Sequence, residues 1–154
     1  MLVIHGYPAG SGIAIGRAHL IRRNTSEVPQ ISLAEGDIPA EATRFETAVK
    51  TTRKQLEHIR SNIPENAPTE LGAFISLHLM LLTDATLSRE PIDIIEQQQI
   101  NAEWALKIQT ERLAQQFDEI DDEYLRQRKQ DMLQVVERIQ KNLIGQSTEL
   151  NLEG

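Results

Sequence analysis

The sequence predicts a mainly α-helical protein: a four-helix-type bundle, preceded by a short strand segment that belongs to a sheet. Three observations carry this. The hydrophobic period is two up to about residue 23 and becomes helical from Asp37 onward. Only 4% of the residues are aromatic, which leaves Leu, Ile, Val, Met and Ala to fill the core, a composition suited to helix-on-helix packing. Pro, Gly, Asn and Asp fall between the periodic stretches, where turns and caps are needed.

Residues 1–23 form the strand segment. Leu2, Val3 and Ile4 make an apolar run, Gly6 to Gly12 is turn chemistry, and Ile13, Ile15, Arg17, His19 and Ile21 then alternate with Ala14, Gly16, Ala18 and Leu20. One or two strands do not make a stable sheet, so this is read as a piece of a larger one. Residues 24–36 read as a linker. Asp37 is placed to cap a first helix with Pro39 in its first turn; Phe45, Val49, Leu56 and Ile59 share its stripe, and residues 61–68, with Pro64 and Pro68, end it.

A second helix starts near Thr69 and Glu70. Its Leu71, Phe74, Ile75, Leu77, Leu79, Met80, Leu81 and Leu82 are too many for one stripe, so more than one face should meet protein. Asp84 is placed to cap a short continuation, and Pro91 should break or restart the helix, with Ser88 as a candidate new cap. Asn101 is expected to cap a third long helix containing Leu106, Leu113, Phe117 and Ile120. The acidic run Asp121, Asp122 and Glu123 favours the start of a fourth. Its stripe is Leu125, Met132, Val135, Val136, Ile139 and Leu143, and Gly145 should stop it. The bundle thus spans 37–145, with 146–154 a return linker.

A net charge of −7 argues against a binder of nucleic-acid phosphates and suits either a basic protein partner or plain solubility. The absence of cysteine removes disulfides, thiolate metal sites and cysteine nucleophiles, and is compatible with a reducing cytoplasm. No stretch approaches the roughly 20 apolar residues of a membrane span, and the start lacks the pattern of a secretory signal. The expectation is a soluble, cytoplasmic protein without membrane contact.

Four histidines are the obvious reactive groups: His5, His19, His58 and His78. None pairs with another at the i, i+4 spacing of a helical zinc site, so no metal site is read, and no catalytic constellation is visible. His58 lies between charged neighbours and reads as a surface residue. His78, embedded among leucines, has two readings: a structural histidine bonded to a neighbour, or a phosphoacceptor on a bundle. The second suffers from its surroundings, because Thr83 and Asp84 offer the wrong charge to a phosphate. Gly10, Gly12 and Gly16 look like a phosphate loop but run into a strand rather than a helix. Helix capping explains the Asp121–Glu123 trio better than cation binding does, and Arg126, Arg128 and Lys129 should pair with acids such as Asp122 and Asp131.

Three segments together resemble a known family. Gly12-Ile-Ala-Ile-Gly-Arg-Ala18 is similar to the glycine-rich opening of Enzyme I, the phosphoenolpyruvate–protein phosphotransferase of the bacterial sugar phosphotransferase system. Phe74-Ile-Ser-Leu-His-Leu-Met-Leu-Leu-Thr-Asp84 resembles that family's second bundle helix. Asp121-Asp-Glu-Tyr-Leu-Arg-Gln-Arg128, with Asp131 and the close at Asn142-Leu-Ile-Gly145, resembles its fourth.

The resemblance implies an α/β swivelling (phosphohistidine) domain into which a bundle binding the phosphocarrier HPr is inserted. It implies further that a histidine in a Gly-Gly-x-Ser-His type segment takes the phosphoryl group from phosphoenolpyruvate. No such segment occurs in these residues, so the expectation is docking without chemistry and without a cofactor. Magnesium and a homodimer through a carboxy-terminal domain are implied only for a full-length enzyme. Carried over residue by residue, the HPr-binding surface would comprise Glu70, Ala73, Phe74, His78, Met80, Leu81, Leu87 and Arg128. Thr69, Ser76, Ala85 and Thr86 stand where well-known members often carry glutamate. This points to a more apolar docking or to the HPr of a nitrogen-related regulatory branch. The competing readings are a helical adaptor or scaffold without a phosphorelay role, against which the orphan strand speaks, and a phosphotransfer bundle using His78.

Overall fold

The computed structural model describes residues 28–152, with side chains described up to residue 146. The strand segment read at 1–23, with His5, His19 and Gly10, Gly12 and Gly16, lies outside the described residues. Within them the chain forms the expected helical bundle, but with six helices rather than four: α1 (Ile38–Ser61), α2 (Thr69–Thr83), α3 (Ala85–Ser88), α4 (Glu90–Gln98), α5 (Ala102–Asp118) and α6 (Glu123–Leu152). A single 3-10 turn, Glu35–Asp37, leads into α1.

The extra helices come from the stretch around Asp84 and Pro91. Asp84 adopts an extended conformation, and its Oδ1 accepts from the Thr86 backbone N–H (2.9 Å) and hydroxyl (2.8 Å), which starts α3. The path bends by 65° there. Ser88 does not cap α4 as expected; it closes α3, its hydroxyl donating back to the Asp84 carbonyl at 2.8 Å, the usual use of a serine one turn into a helix. Arg89 precedes α4, whose first turn holds Pro91 where a missing N–H goes unneeded.

Asn101 stands at the N-cap position of α5, but its side chain is used elsewhere. Its Oδ1 accepts from Ile31 N–H at 2.9 Å and its Nδ2 donates to the Pro29 carbonyl at 3.0 Å. The α5 amino end is satisfied instead by Glu41 of α1, whose Oε1 accepts from Ala102 N–H at 2.7 Å. Residues 29–33 of the expected linker are therefore strapped to the bundle, with a bridge between Ser32 and Ile100 and a Leu33 N–H bond to the Gln99 carbonyl.

Arg44 completes this polar hub. Its guanidinium reaches Glu41 (2.7 Å), Glu103 (2.5 Å) and the Leu143 carbonyl of α6 (3.1 Å). Burial alone would lower the Arg44 pKa, but the two carboxylates raise it; burial likewise pushes Glu103 up, and Arg44 overrides it to hold that carboxyl below its ordinary range.

At the other end of α6, Asp122 accepts from Leu125 N–H at 3.2 Å and so starts the helix. Gly145 does not stop it; α6 runs on to Leu152. A glycine inside a helix costs about 1 kcal/mol relative to alanine, and here no left-handed turn or following proline enforces a stop. The core is filled from every long helix: Phe45, Leu56, Leu82, Leu87, Ile95, Leu106, Ile139 and Leu143 are fully buried. Each such side chain contributes roughly 1.5–3 kcal/mol.

Candidate docking surface

Helix α2 buries one line, Ile75, His78 and Leu82, at spacings of three and four. Because the helix is apolar nearly all round, this leaves apolar residues facing out. Met80 is 60% exposed, Leu71 42% and Phe74 36%, with Glu70 and Ala73 exposed beside them. Leu81 is half-buried and leans on the core. Single exposed apolar side chains are ordinary; Phe74 and Met80 lie off the buried line, whereas Leu71, four residues before Ile75, continues that line at the amino end of the helix.

Two of the expected contact residues prove to be internal. Leu87 is a core residue, 1% exposed: the one-turn helix α3, fixed by the Asp84 cap, turns it inward. It therefore supports the surface from below rather than lining it. His78 is also 1% exposed, its ring centroid 4.1 Å from that of Phe74. Neither ring nitrogen has a hydrogen-bond partner among the described residues, so the reading of a histidine bonded to a neighbour does not hold. Burial lowers its pKa; Asp131 works against that shift and Arg138 reinforces it. A neutral imidazole so enclosed has no room to meet a phosphoryl donor. His58, by contrast, is exposed, as expected.

Helix α6 packs against α2, with Asp131 and Arg138 near enough to His78 to act on its charge. Arg128 keeps 29% of its side chain exposed. Its Nη1 lies 3.5 Å from Asp131 Oδ2, and its guanidinium carbon lies 4.9 Å from the centre of the Tyr124 ring. Tyr124, 66% exposed, was not among the expected site residues, although its i, i+4 spacing to Arg128 is a sequence signal for such stacking. Of the pairings expected nearby, Lys129 goes to Asp118 (2.7 Å) and Arg126 to Asp121 and Glu123, while Asp122 is occupied as a cap. These exposed pairs are each worth little.

The face is poor in charge. Thr69, Ser76 and Ala85 are exposed and neutral, and Thr86 is half-buried. Asp84, near them, is held below the ordinary carboxylate range by the Thr86 backbone N–H and hydroxyl. Among the described residues no group of three His, Asp or Glu side chains converges. A separate open groove of about 390 Å³ has Glu46, Lys50, Arg53, Lys54 and Glu57 on its walls, charges of both signs that point to no single ligand. No single described helix is long and apolar enough to cross a membrane.

Comparison with known proteins bears on this surface. Residues 5–128 match the family described as PEP-utilising enzyme, N-terminal. Over 142 residues the chain is 46% identical to a phosphoenolpyruvate-protein phosphotransferase of Cupriavidus necator and 32% identical to that of Bacillus sp. (strain S). Each alignment covers 92% of this chain and 24% of the relative. The chain thus spans about a quarter of the length of the curated relatives it matches. Among solved structures it is similar to a solution structure of Enzyme I, with a TM-score of 0.72 and 25% identity over 79% of this chain and 49% of that one. It is also similar to the N-terminal domain of the nitrogen Enzyme 1, with a TM-score of 0.69 and 28% identity over 77% and 49%.

Proposed function

The chain belongs to the PEP-utilising enzyme N-terminal family, in the amino-terminal region of Enzyme I, and from that premise we propose that its bundle docks a phosphocarrier protein of the HPr type. The observation that carries this is the apolar surface of α2, with Ala73, Phe74 and Met80 exposed and Leu81 half-buried, together with Glu70 on the same helix and the partly exposed Arg128 on the neighbouring α6. A small apolar centre with a sparse charged rim fits a transient protein interface, in which the centre supplies affinity and the rim orientation. Leu87 and His78 act from beneath: they set the level of α3 and of Phe74, and meet the partner only through them.

On this reading the bundle is the recognition part of a phosphoenolpyruvate–protein phosphotransferase working in the cytoplasm in a phosphotransferase system. Phosphoryl chemistry, magnesium and dimer formation belong to the rest of a full-length enzyme. These 154 residues contain no Gly-Gly-x-Ser-His type segment. Alone they should take no phosphoryl group from phosphoenolpyruvate and magnesium, which intact-mass measurement would check; a phosphohistidine on any of the four histidines would sink that part.

A second reading concerns the branch. The likeness to the N-terminal domain of the nitrogen Enzyme 1, together with neutral Thr69, Ser76 and Ala85, favours the HPr of a nitrogen-related regulatory branch. Titration of the chain with each carrier from the same organism, read by amide shifts, tests both readings. Shifts centred on Phe74, Met80 and Leu81 are expected, and the tighter carrier names the branch. Shifts confined to α1 around His58 would overturn the docking face.

A further inference from the structure

We infer that Asp131 is a positioning residue for the docking surface, holding the Arg128 guanidinium at the rim through a buried carboxylate. The inference rests on the docking reading and names a residue beneath that surface which never touches the partner. Arg128 sits where α6 meets α2, with one edge in solvent. A long, exposed arginine ordinarily samples many rotamers and loses that freedom on binding. Here it is pinned from two sides: Tyr124 supplies a ring face at 4.9 Å, one turn earlier on the helix, and Asp131 supplies a carboxylate 3.5 Å from Nη1, one turn later.

The two holds are unequal. Tyr124 is 66% exposed and free to move with the arginine. The Asp131 side chain is only 4% exposed, Arg128 is its ion-pair partner at 3.5 Å, and the His78 ring is near enough to feel its charge. A carboxylate buried to that degree is costly to leave unpaired, so Arg128 cannot swing away without stranding it. His78, across on α2, feels the Asp131 charge but gives it no hydrogen bond: its ring nitrogens bond to nothing among the described residues. Arg128 Nε is likewise enclosed without a partner, which places the inner edge of the guanidinium against protein and leaves the outer edge to a docking carbonyl or hydroxyl. Asp131 thus removes in advance the ordering that binding would otherwise require.

A double-mutant cycle on the chain, titrated calorimetrically with the HPr-type carrier, tests this. Asp131→Asn should weaken binding about fivefold and Arg128→Met about tenfold, and the double variant should be no worse than Arg128→Met within about twofold. Losses that multiply would overturn the inference, because Asp131 would then act on folding or on the partner rather than through Arg128. Asp131→Glu, which restores the charge one methylene further out, should recover part of the loss; recovery equal to none would also count against it.

A partner-free measurement separates this failure from that of the docking reading. The Arg128 Nε–Hε resonance should be dispersed and slow to exchange with solvent in the parent chain, and should collapse to the position of exposed arginines in Asp131→Asn. Asp131→Ser takes its place if the asparagine variant does not fold. An unchanged resonance overturns the positioning role even if the carrier binds. A collapsed resonance upholds that role even if no carrier binds, and in that case it is the docking reading that falls.

Discussion

Two arginines on this bundle do opposite work. Arg44 is surrounded: two carboxylates and a helix carbonyl from α1, α5 and α6 receive its guanidinium, at 2.5–3.1 Å. Arg128 is undersupplied: one carboxylate at 3.5 Å, an exposed ring, and a buried Nε with no partner among the described residues. They engage α6 at points far apart along it: Leu143, which Arg44 bonds, is fifteen residues along α6 from Arg128, about 22 Å at helical rise. Saturation at one end is what holding a fold requires, because a buried charge stabilises only when its donors are used. Incomplete use at the other end is what recognition requires, because a donor already satisfied has nothing left for a partner.

The comparison is broken most severely at the saturated end. Arg44→Met leaves Glu41 and Glu103 facing each other largely out of solvent, and should lower unfolding free energy by about 3 kcal/mol or more. Urea denaturation would show it; a loss below about 1 kcal/mol would mean the hub is decorative. In the same assay Leu87→Ala should cost about 2–4 kcal/mol as a core cavity, while Met80→Ala stays within about 0.5 kcal/mol. Carrier affinity should invert the second pair: Met80→Ala weakens docking by roughly tenfold, about 1.4 kcal/mol, without touching the fold. If Leu87→Ala alone abolished docking in a folded protein, the division between support and contact would be wrong.

Acid should act at both ends, in sequence. The His78 pKa is lowered in the folded state, chiefly by burial. Its contribution is therefore fully present above the ordinary histidine range, and is lost as pH falls through that range toward the folded value, since unfolded chains take the proton first. Glu103 and Asp84, both below their ordinary values, add losses further down, through and below the carboxylate range. Denaturation at pH 7.5 and 5.5 should show declining stability, and His78→Gln should flatten the decline; an equal slope in that variant would remove His78 from the account. The smallest effect has the opposite sign. Gly145→Ala should stabilise by about 0.5–1 kcal/mol, because the position is helical, exposed and has nothing within 4 Å of an added Cβ.

Much of this was legible in the sequence where the signal is local. The stripe Phe45, Val49, Leu56 announces α1, the surplus of leucines on α2 announces an outward apolar face, and Asp84 announces a cap, because each depends on neighbours a turn or two away. What the sequence withheld depends on distance or on orientation. Asn101 looks like a helix cap, and only the fold reveals that residues 29–31 claim its side chain while Glu41, sixty residues earlier, takes over the N–H. Leu87 sits on a helix of four residues, too short for a period to tell inside from outside. Gly145 carries a stop signal without the left-handed turn that would enact it. Tyr124 differs from these: its spacing of four to Arg128 is readable in the sequence, but the stacking itself depends on the rotamers the fold selects.

The strap at residues 29–33 has a mechanical side. Through Asn101, Glu103 and Arg44 it is joined to the Leu143 carbonyl, so the stretch of chain that comes in at residue 29 and the far part of α6 are knotted at one pole of the bundle. Tension pulled on either stretch travels across this knot from one to the other, as through a buckle, instead of along the helices. Helices α2 and α3 lend no side chain to the buckle. The face proposed to meet a partner thus lies outside the path along which the chain would be tugged.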